Sequence, residues 1–347
     1  MSNYKRVSLN FGQHSAHFGE VGIGVEETSE RVRSDTLFSA LIVTYARLFG
    51  KDAVEDLLKS FDPSPPFRIS STFVYYDDGK NRIDYLPKPL KFPRGYPVGN
   101  DLEFAKTYKK IHYLPLDVWQ RWYQGNGFTN DDRTELIGYT NKTKTSGSLN
   151  NAGIFDYSQT YQIHKTPKVA IDRTTRATNF YHTGFVQFDR SCGLYFLIEF
   201  INADQDLENR LHAALNLLGD EGLGGERSSG AGQFEATWSD LSDTWKKLLN
   251  CSQPTDYSLI SLLWQTPIPD TLHADRASYG ILERGGWISS PFSGRQLRRK
   301  KVRMFVEGSV FPVRPDGQLA DVTPYQFQKL HKIYRSGIAF SLPIILY

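Results

Sequence analysis

Residues 219–232 read GDEGLGGERSSGAG, and six of the fourteen are glycine. Arg227, Ser228 and Ser229 sit among them. Glycine loses more backbone entropy on folding than any other residue, so this density needs a cause. One cause is close approach of an anion to backbone N–H groups, with an arginine and two hydroxyls completing the contacts. That chemistry is phosphate binding. The other cause is a surface connector with no ligand, and composition alone fits both equally. The flanks narrow the phosphate option. Leu207, Leu211, Ala214, Leu215 and Leu218 recur at helical spacing before the loop. Phe234, Ala236 and Trp238 alternate as a strand after it. Nucleotide-binding loops run strand, loop, helix, so that a helix N-terminus faces the phosphate. Here a helix C-terminus meets the loop, the wrong end of the dipole. The P-loop and dinucleotide glycine spacings are also absent. A mononucleotide site is disfavoured; an RNA backbone and a mobile surface loop both remain.

Other segments could hold phosphate. RQLRRKKVR (295–303) has six basic residues in nine. On a strand, Arg299, Lys301 and Arg303 share one face. Trp287 precedes them as a stacking surface, and aromatic and basic residues interleaved this way suit single-stranded RNA. The plainer reading is an edge strand protected by charge. Arg173 and Arg176 flank Thr174 and Thr175, a pattern that can grip phosphate or simply form a turn. Arg31 and Arg33 stand just before a helix whose cap is expected at Ser34, a natural anion position or a solvated loop. His14 and His17 offer a general base for metal-independent RNA cleavage, but no second histidine cluster or paired carboxylate converges on them. Asp77 and Asp78 are turn residues and poor metal ligands. No serine or cysteine nucleophile motif is present.

The elements that position these groups read as follows. The chain has 347 residues, 39% of them hydrophobic, with a net charge of +3. It is long enough for one large domain or two ordinary ones, and any nucleic-acid site must be a local patch. Two cysteines, Cys192 and Cys251, are too few for a disulfide framework or a zinc module, so a reducing, cytoplasmic setting is expected. No apolar run reaches the length of a membrane span, and no leader is expected. A strand at 4–11 opens the chain. A helix, SDTLFSALIVTYARLFG, ends at Gly50, and a short helix follows it. Two strands flank a DDGK turn at 77–80. Residues 91–165 read as an insertion, partly loose. Its Tyr108, Tyr113, Trp119, Trp122 and Tyr123 are expected at a protein interface. GFVQFDRSCGLYFLIEF reads as a hairpin. The helix, the glycine loop and QFEATW follow, then strands at 257–264 and 298–311 and near the end. The fold class is α+β. Strand–helix–strand units on either side of the insertion suggest two ferredoxin-like, RRM-like domains, over 1–90 and 166–347.

Several of these segments together resemble a known family. GLGGERSSGAGQFE after an amphipathic helix resembles the signature of the RAMP proteins of CRISPR systems, and SDTLFSALIVTYARLFG and VAIDRTTRAT are similar to their first helix and middle segment. GGWISSPFSGRQLRRKKVRMFVEGSVF followed by YRSGIAFSLPI resembles, more particularly, the subunit-four family of the type III-A Csm complex. The resemblance implies a non-catalytic subunit with no cofactor and no metal. It implies two ferredoxin-like domains and a protruding β-hairpin that clamp the repeat-derived 5′ tag of the crRNA. The partners it implies are the large polymerase-like effector subunit and the backbone RAMP subunit, with no membrane. Carried onto this sequence, the RNA contacts are Gly222, Gly224, Gly225, Arg227, Ser228, Ser229 and Gly230, with Arg31, Arg33, Ser34, Arg173 and Arg176. Trp287, Arg295, Arg299, Lys301 and Arg303 complete the set. Two alternatives stay open: a RAMP endoribonuclease that processes precursor guide RNA through His14 or His17, and the equivalent subunit of a Cmr complex.

Overall fold

The strand β8 (Cys192–Phe200) sets the architecture. Its sequence, CGLYFLIEF, is apolar on both faces, and every residue is buried. Such a strand must lie inside a sheet covered on both sides. The computed structural model, which describes residues 3–19, 24–97, 102–142, 146–202, 204–272, 275–288 and 297–347, places it so. β1 (Asn3–Asn10) runs antiparallel along one side of it. β2 (Phe67–Ile69) and β3 (Phe73–Asp77) share the other side. β4 (Arg82–Pro87) and β5 (Tyr113–Pro115) extend the sheet past β3, and β9 (Glu235–Asp240) lies beyond β1. The DDGK turn joins β3 to β4 as its residues predict, with Asp77 opposite Arg82. The Asp78 carboxylate accepts the Lys80 and Asn81 N–H groups at 2.8 and 2.7 Å.

Two helices cover one face of this sheet. α1 (Ser34–Lys59) is interrupted at Gly50, whose φ of +85° breaks the helical path. Both the expected stop and the expected second segment are therefore present. Arg33, not Ser34, takes the cap position. The Ser34 hydroxyl instead accepts the Leu262 N–H at 3.0 Å, inside the fold. α6 (Gln205–Glu221) starts under Asp204, whose side chain accepts the Leu207 N–H. Leu37, Leu41, Leu211, Leu215 and Leu218 meet Val7, Leu9, Leu194, Phe196 and Ile198 in one core. Along β1, α1, β3, β8, α6 and β9 the strands order as β9-β1-β8-β3, the ferredoxin-like plan.

That unit does not respect a boundary at 166. β8 pairs with β1 on one edge and with β2 and β3 on the other, and β9 pairs with β1, so strands from both sides of that boundary share one sheet. The expected hairpin over GFVQFDRSCGLYFLIEF is also not formed. Its first half belongs to β7 (Thr178–Phe188), which pairs with β6 (Tyr161–Ile171) along eleven residues each. The outer part of this ribbon projects into solvent, with Ile171 and Phe180 more than half exposed at 63% and 61%.

The segment 91–165 forms α2 (Leu102–Lys110), α3 (Leu116–Tyr123), α4 (Asn130–Thr140) and α5 (Ser148–Asn151). Four of the five aromatics expected at an interface are core residues instead, and Tyr113 is half-buried against the same core. Trp119, Trp122 and Tyr123 lie on one face of α3 and are buried, as is Tyr108. They have a surface to cover: Phe73, Tyr195 and Leu197 on the underside of the sheet. Asp132 fixes this layer. It closes a capping box with Thr129 at the start of α4, takes Arg121 in a bidentate pair at 2.8 and 2.7 Å, and accepts the Trp122 indole N–H at 3.1 Å.

The remaining chain is built of short strands and α7 (Asp243–Leu249), whose Trp245 joins the same underside core. β10 (Asp256–Leu259) lies between β13 (Val310–Phe311) and β16 (Ser341–Ile344). Two ribbons flank them, β11 (Ile281–Arg284) with β12 (Val302–Phe305) and β14 (Leu319–Asp321) with β15 (Tyr334–Ser336). The basic strand is shorter than its sequence suggests. Regular pairing begins at Val302, opposite Arg284. Among the described residues no helix is long and apolar enough to cross a membrane.

Burial of Trp122 gives the first prediction. Trp122→Ala should lower unfolding stability by about 3–5 kcal/mol, the usual range for a buried large aromatic. Urea denaturation checks this; a loss within error of zero would mean the helical layer folds independently of the sheet.

Candidate nucleic-acid interface

The glycine loop is pinned at several of its glycines, and the neighbour that requires them is the chain itself. Gly225 donates its N–H to the His17 carbonyl at 2.8 Å, and Gly232 donates to Ser15 at 2.9 Å. At Gly224, φ is +103° and an added Cβ would lie 2.3 Å from the His17 carbonyl oxygen. At Gly225 it would lie 2.7 Å from the His17 ring. These amides are not bare, as the composition suggested. They clamp the loop to the segment after β1. Among the loop glycines, Gly230 faces open space. Arg227, Ser228 and Ser229 form a short 3-10 turn at the exposed crest. Lys168 of β6 pairs with Glu226 and approaches the Ser229 hydroxyl at 3.4 Å, so the loop is tied to the projecting ribbon.

Below the crest lies a cavity of about 250 Å³. Gly222, Gly224, Gly225 and Arg227 form one wall, and Arg31, Arg33 and Thr36 at the start of α1 form another. Arg284 and Arg299 close it. Five arginines therefore line one cavity, and no carboxylate does among the described residues. Two buried carboxylates stand behind the walls. Glu307 takes Arg31 at 3.0 Å and also Arg33 and the Ser71 hydroxyl. Asp35 takes Arg284 at 2.8 Å and also Arg335. Burial would raise both carboxyls, but the adjacent guanidiniums outweigh it and hold each below its ordinary range. Arg299 shifts down as well, here against its charged form. Burial first, then repulsion from Arg335 and Arg284 outweighing attraction to Asp35, lowers it to about 10.

The family follows from the whole chain. Residues 16–235 match the model of the RAMP superfamily, and residues 252–344 match that of the CRISPR Csm4 C-terminal domain. The chain belongs to the RAMP superfamily. Within it the chain is of the Csm4 kind. It is 27% identical to the CRISPR system Cms protein Csm4 of Methanocaldococcus jannaschii over 94% of each chain. It is 28% identical to the Csm4 of Mycobacterium tuberculosis H37Rv over 91% of each. Its fold matches a chain of the crystal structure of a Csm3–Csm4 subcomplex in the type III-A CRISPR-Cas interference complex. That match has a TM-score of 0.61 at 20% identity and covers 98% of this chain and 99% of the other. A chain of a Csm1–Csm4 cassette in complex with cA4 matches with a TM-score of 0.57 at 19% identity, over 100% and 99%.

In this RAMP protein the sequence-predicted residues divide into three groups. The cavity brings together Gly222, Gly224, Gly225, Arg227, Arg31, Arg33 and Arg299. Of these, Arg31 is buried and its Nε donates to the Tyr113 hydroxyl at 2.6 Å, so it serves the fold first. Ser34 is buried behind the cavity and is not available to a ligand. Arg173 and Arg176 lie elsewhere, on the turn that joins β6 to β7, exposed to solvent. The expected common face of Arg299, Lys301 and Arg303 is not formed. Arg299 precedes the regular strand and turns into the cavity wall, while Lys301 pairs outward with Glu283 at 2.6 Å. Trp287 is 40% exposed beneath the Arg298 guanidinium. Arg295 lies outside the described residues. Arg284 was missed because it stands alone in ILER, with no basic neighbour. His17 is a clamp: its Nδ1 lies 2.7 Å from the Gly184 carbonyl and its ring is buried. Among the described residues no group of three or more His, Cys, Asp or Glu could hold a metal.

Two predictions follow from the clamp and the buried pairs. Gly224→Val should lower the thermal midpoint as well as any anion affinity, since it strikes the His17 carbonyl; calorimetry showing an unchanged midpoint would mean the loop packs loosely. Glu307→Gln should destabilise by about 3–5 kcal/mol, because the buried Arg31 and the half-buried Arg33 lose the carboxylate they share. Carboxyls held below their ordinary range contribute stability above about pH 4 and lose it as the pH falls further. Denaturant titrations at stepped pH should therefore show stability falling on the acid side in the wild type, and less steeply in Glu307→Gln. Parallel curves would refute the assignment.

Proposed function

We propose that this chain is a non-catalytic crRNA-binding subunit of a type III-A Csm surveillance complex in antiviral defence. The observation that carries the reading is the cavity under the glycine loop, lined by five arginines and by no carboxylate among the described residues. Such a site favours a polyanion, and backbone contacts of this kind position RNA without reading its sequence. The ligand is the 5′ repeat-derived tag of the guide. The loop crest and the arginines of the ribbon tip extend the contact beyond the cavity. As partners we propose the large polymerase-like subunit and the backbone RAMP subunit. The Csm1–Csm4 cassette and Csm3–Csm4 subcomplex among the fold's matches support that choice. The match to the Csm4 C-terminal domain favours a Csm over a Cmr assembly. A second ferredoxin-like unit in the C-terminal part belongs to the same proposal. The engagement of His17 with Gly184 and the glycine loop supports binding over cleavage.

Tagged purification from the native host, followed by sequencing of bound RNA, tests the reading. A uniform short 5′ tag is expected; heterogeneous RNA ends would overturn it. Labelled repeat RNA incubated without metal should stay intact. A cyclic-phosphate product that disappears in His14→Ala would make the protein a nuclease. Removing Arg173 and Arg176 together should flatten the slope of log K against log salt by about 1.4, two contacts at roughly 0.7 each for a single strand. An unchanged slope would remove the ribbon tip from the RNA path.

A further inference from the structure

We infer that Arg299, with Arg284 beside it, forms a built subsite in the cavity that takes one phosphate group of the bound RNA, and that Asp35 is its positioning residue. The inference rests on the RNA-binding reading above and assigns it a place. Asp35 is fully buried at the first turn of α1 and draws in two guanidiniums, those of Arg284 from β11 and Arg335 from β15. Arg299 lines the same cavity as Arg284, and burial with repulsion from Arg335 and Arg284 disfavours its charge. Two guanidiniums thus share one carboxylate, with a third beside Arg284 in the cavity wall. The Arg299 Nε donates to the Trp287 carbonyl at 3.0 Å, and its backbone N–H donates to Gly286 at 2.9 Å, so the side chain is aimed rather than loose. No carboxylate lies within ion-pair distance of Arg299 among the described residues.

Like charges confined in a half-buried space raise the free energy of the empty site. An anion that enters relieves that repulsion and gains charge-assisted hydrogen bonds. Arg227 and Arg33 line the same cavity. The chemistry recognised is a phosphate oxyanion. A phosphodiester of single-stranded RNA carries it, and so does free inorganic phosphate, so the test separates the two.

The experiment uses the full chain as wild type, Arg299→Ala, Arg299→Lys and Lys59→Ala, which removes an exposed charge at the far end of α1. Filter binding to single-stranded guide RNA is read at several salt concentrations, and the thermal midpoint is read with and without inorganic phosphate. Arg299→Ala should weaken RNA binding roughly ten- to a hundredfold, the loss of a hydrogen bond to a charged group. Its salt slope should flatten by about 0.7. Arg299→Lys should keep the slope while recovering only part of the affinity, since a point charge replaces a planar fork. It also serves as the readout if the alanine variant does not fold. Phosphate should raise the midpoint of the wild type and of Lys59→Ala, and that of Arg299→Ala much less. Wild-type affinity and slope in Arg299→Ala, with RNA binding lost in Gly224→Val, would overturn the subsite and leave the proposed function standing. A wild type that binds no guide RNA would instead remove the proposed function; an Arg299-dependent phosphate shift would then reassign the site to the free anion.

Discussion

Two buried carboxylates hold the chain's distant parts in register. Asp35, at the start of α1, takes Arg284 and Arg335 from the C-terminal ribbons. Glu307, just after β12, takes Arg31 and Arg33 from the segment before α1. The arrangement is reciprocal: each half supplies the acid for the other half's bases. Removing a carboxylate from water costs several kcal/mol, and only a well-placed, hydrogen-bonded guanidinium offsets that. A shift of the C-terminal strands by one residue would therefore strand charge on both sides of the interface. Apolar side chains would tolerate such a slip more readily. The cavity beneath the glycine loop depends on this register, because its walls come from the start of α1, from the loop after α6, and from the β11–β12 region.

Much of the framework was legible because its signals are local. The apolar run of β8, the helical spacing of Leu207 to Leu218, the break at Gly50 and the Asp78–Gly79 turn each act within a few residues. Where the sequence misled, the deciding partner was remote. Trp119, Trp122 and Tyr123 recur at helical spacing, which tells that they share a face. It does not tell that the underside of a sheet holding Tyr195 and Leu197 lies waiting for that face. The glycine loop is similar. Its density is plain in the sequence, but the atom that forbids a Cβ at Gly224 belongs to His17, more than two hundred residues away. Ser34 was read as a cap because its type suits one, yet the Leu262 N–H, remote in the chain, claims its hydroxyl. Periodicity and turn chemistry reveal elements, whereas packing partners decide roles.

The same distinction governs charge. A net charge of +3 on 347 residues gives little long-range pull on RNA. Beyond about 10 Å salt screens exposed charges, so the local pattern outweighs the sum. Among the described residues no acid lies on the cavity wall, where Arg33, Arg227, Arg284 and Arg299 gather. Arg33 and Arg284 are set there by Glu307 and Asp35, whose carboxylates are buried behind them. That placement lets a nearly neutral protein offer one strongly positive hollow.

The tie between Lys168 and Glu226 extends this logic to the ribbon. The loop already reaches the base of the ribbon through His17, which contacts Gly225 and Gly184 of β7. With the Lys168–Glu226 pair, the crest that carries Arg227, Ser228 and Ser229 is fastened to the ribbon that carries Arg173 and Arg176 at its tip. An ion pair at a partly exposed position contributes little to overall stability. Its weight here is geometric, since it holds two basic features at one spacing. On the proposed function, a single strand leaving the cavity then meets its next positive contact at a distance set by the protein. The binding register would follow from that spacing, with no base needing to be read.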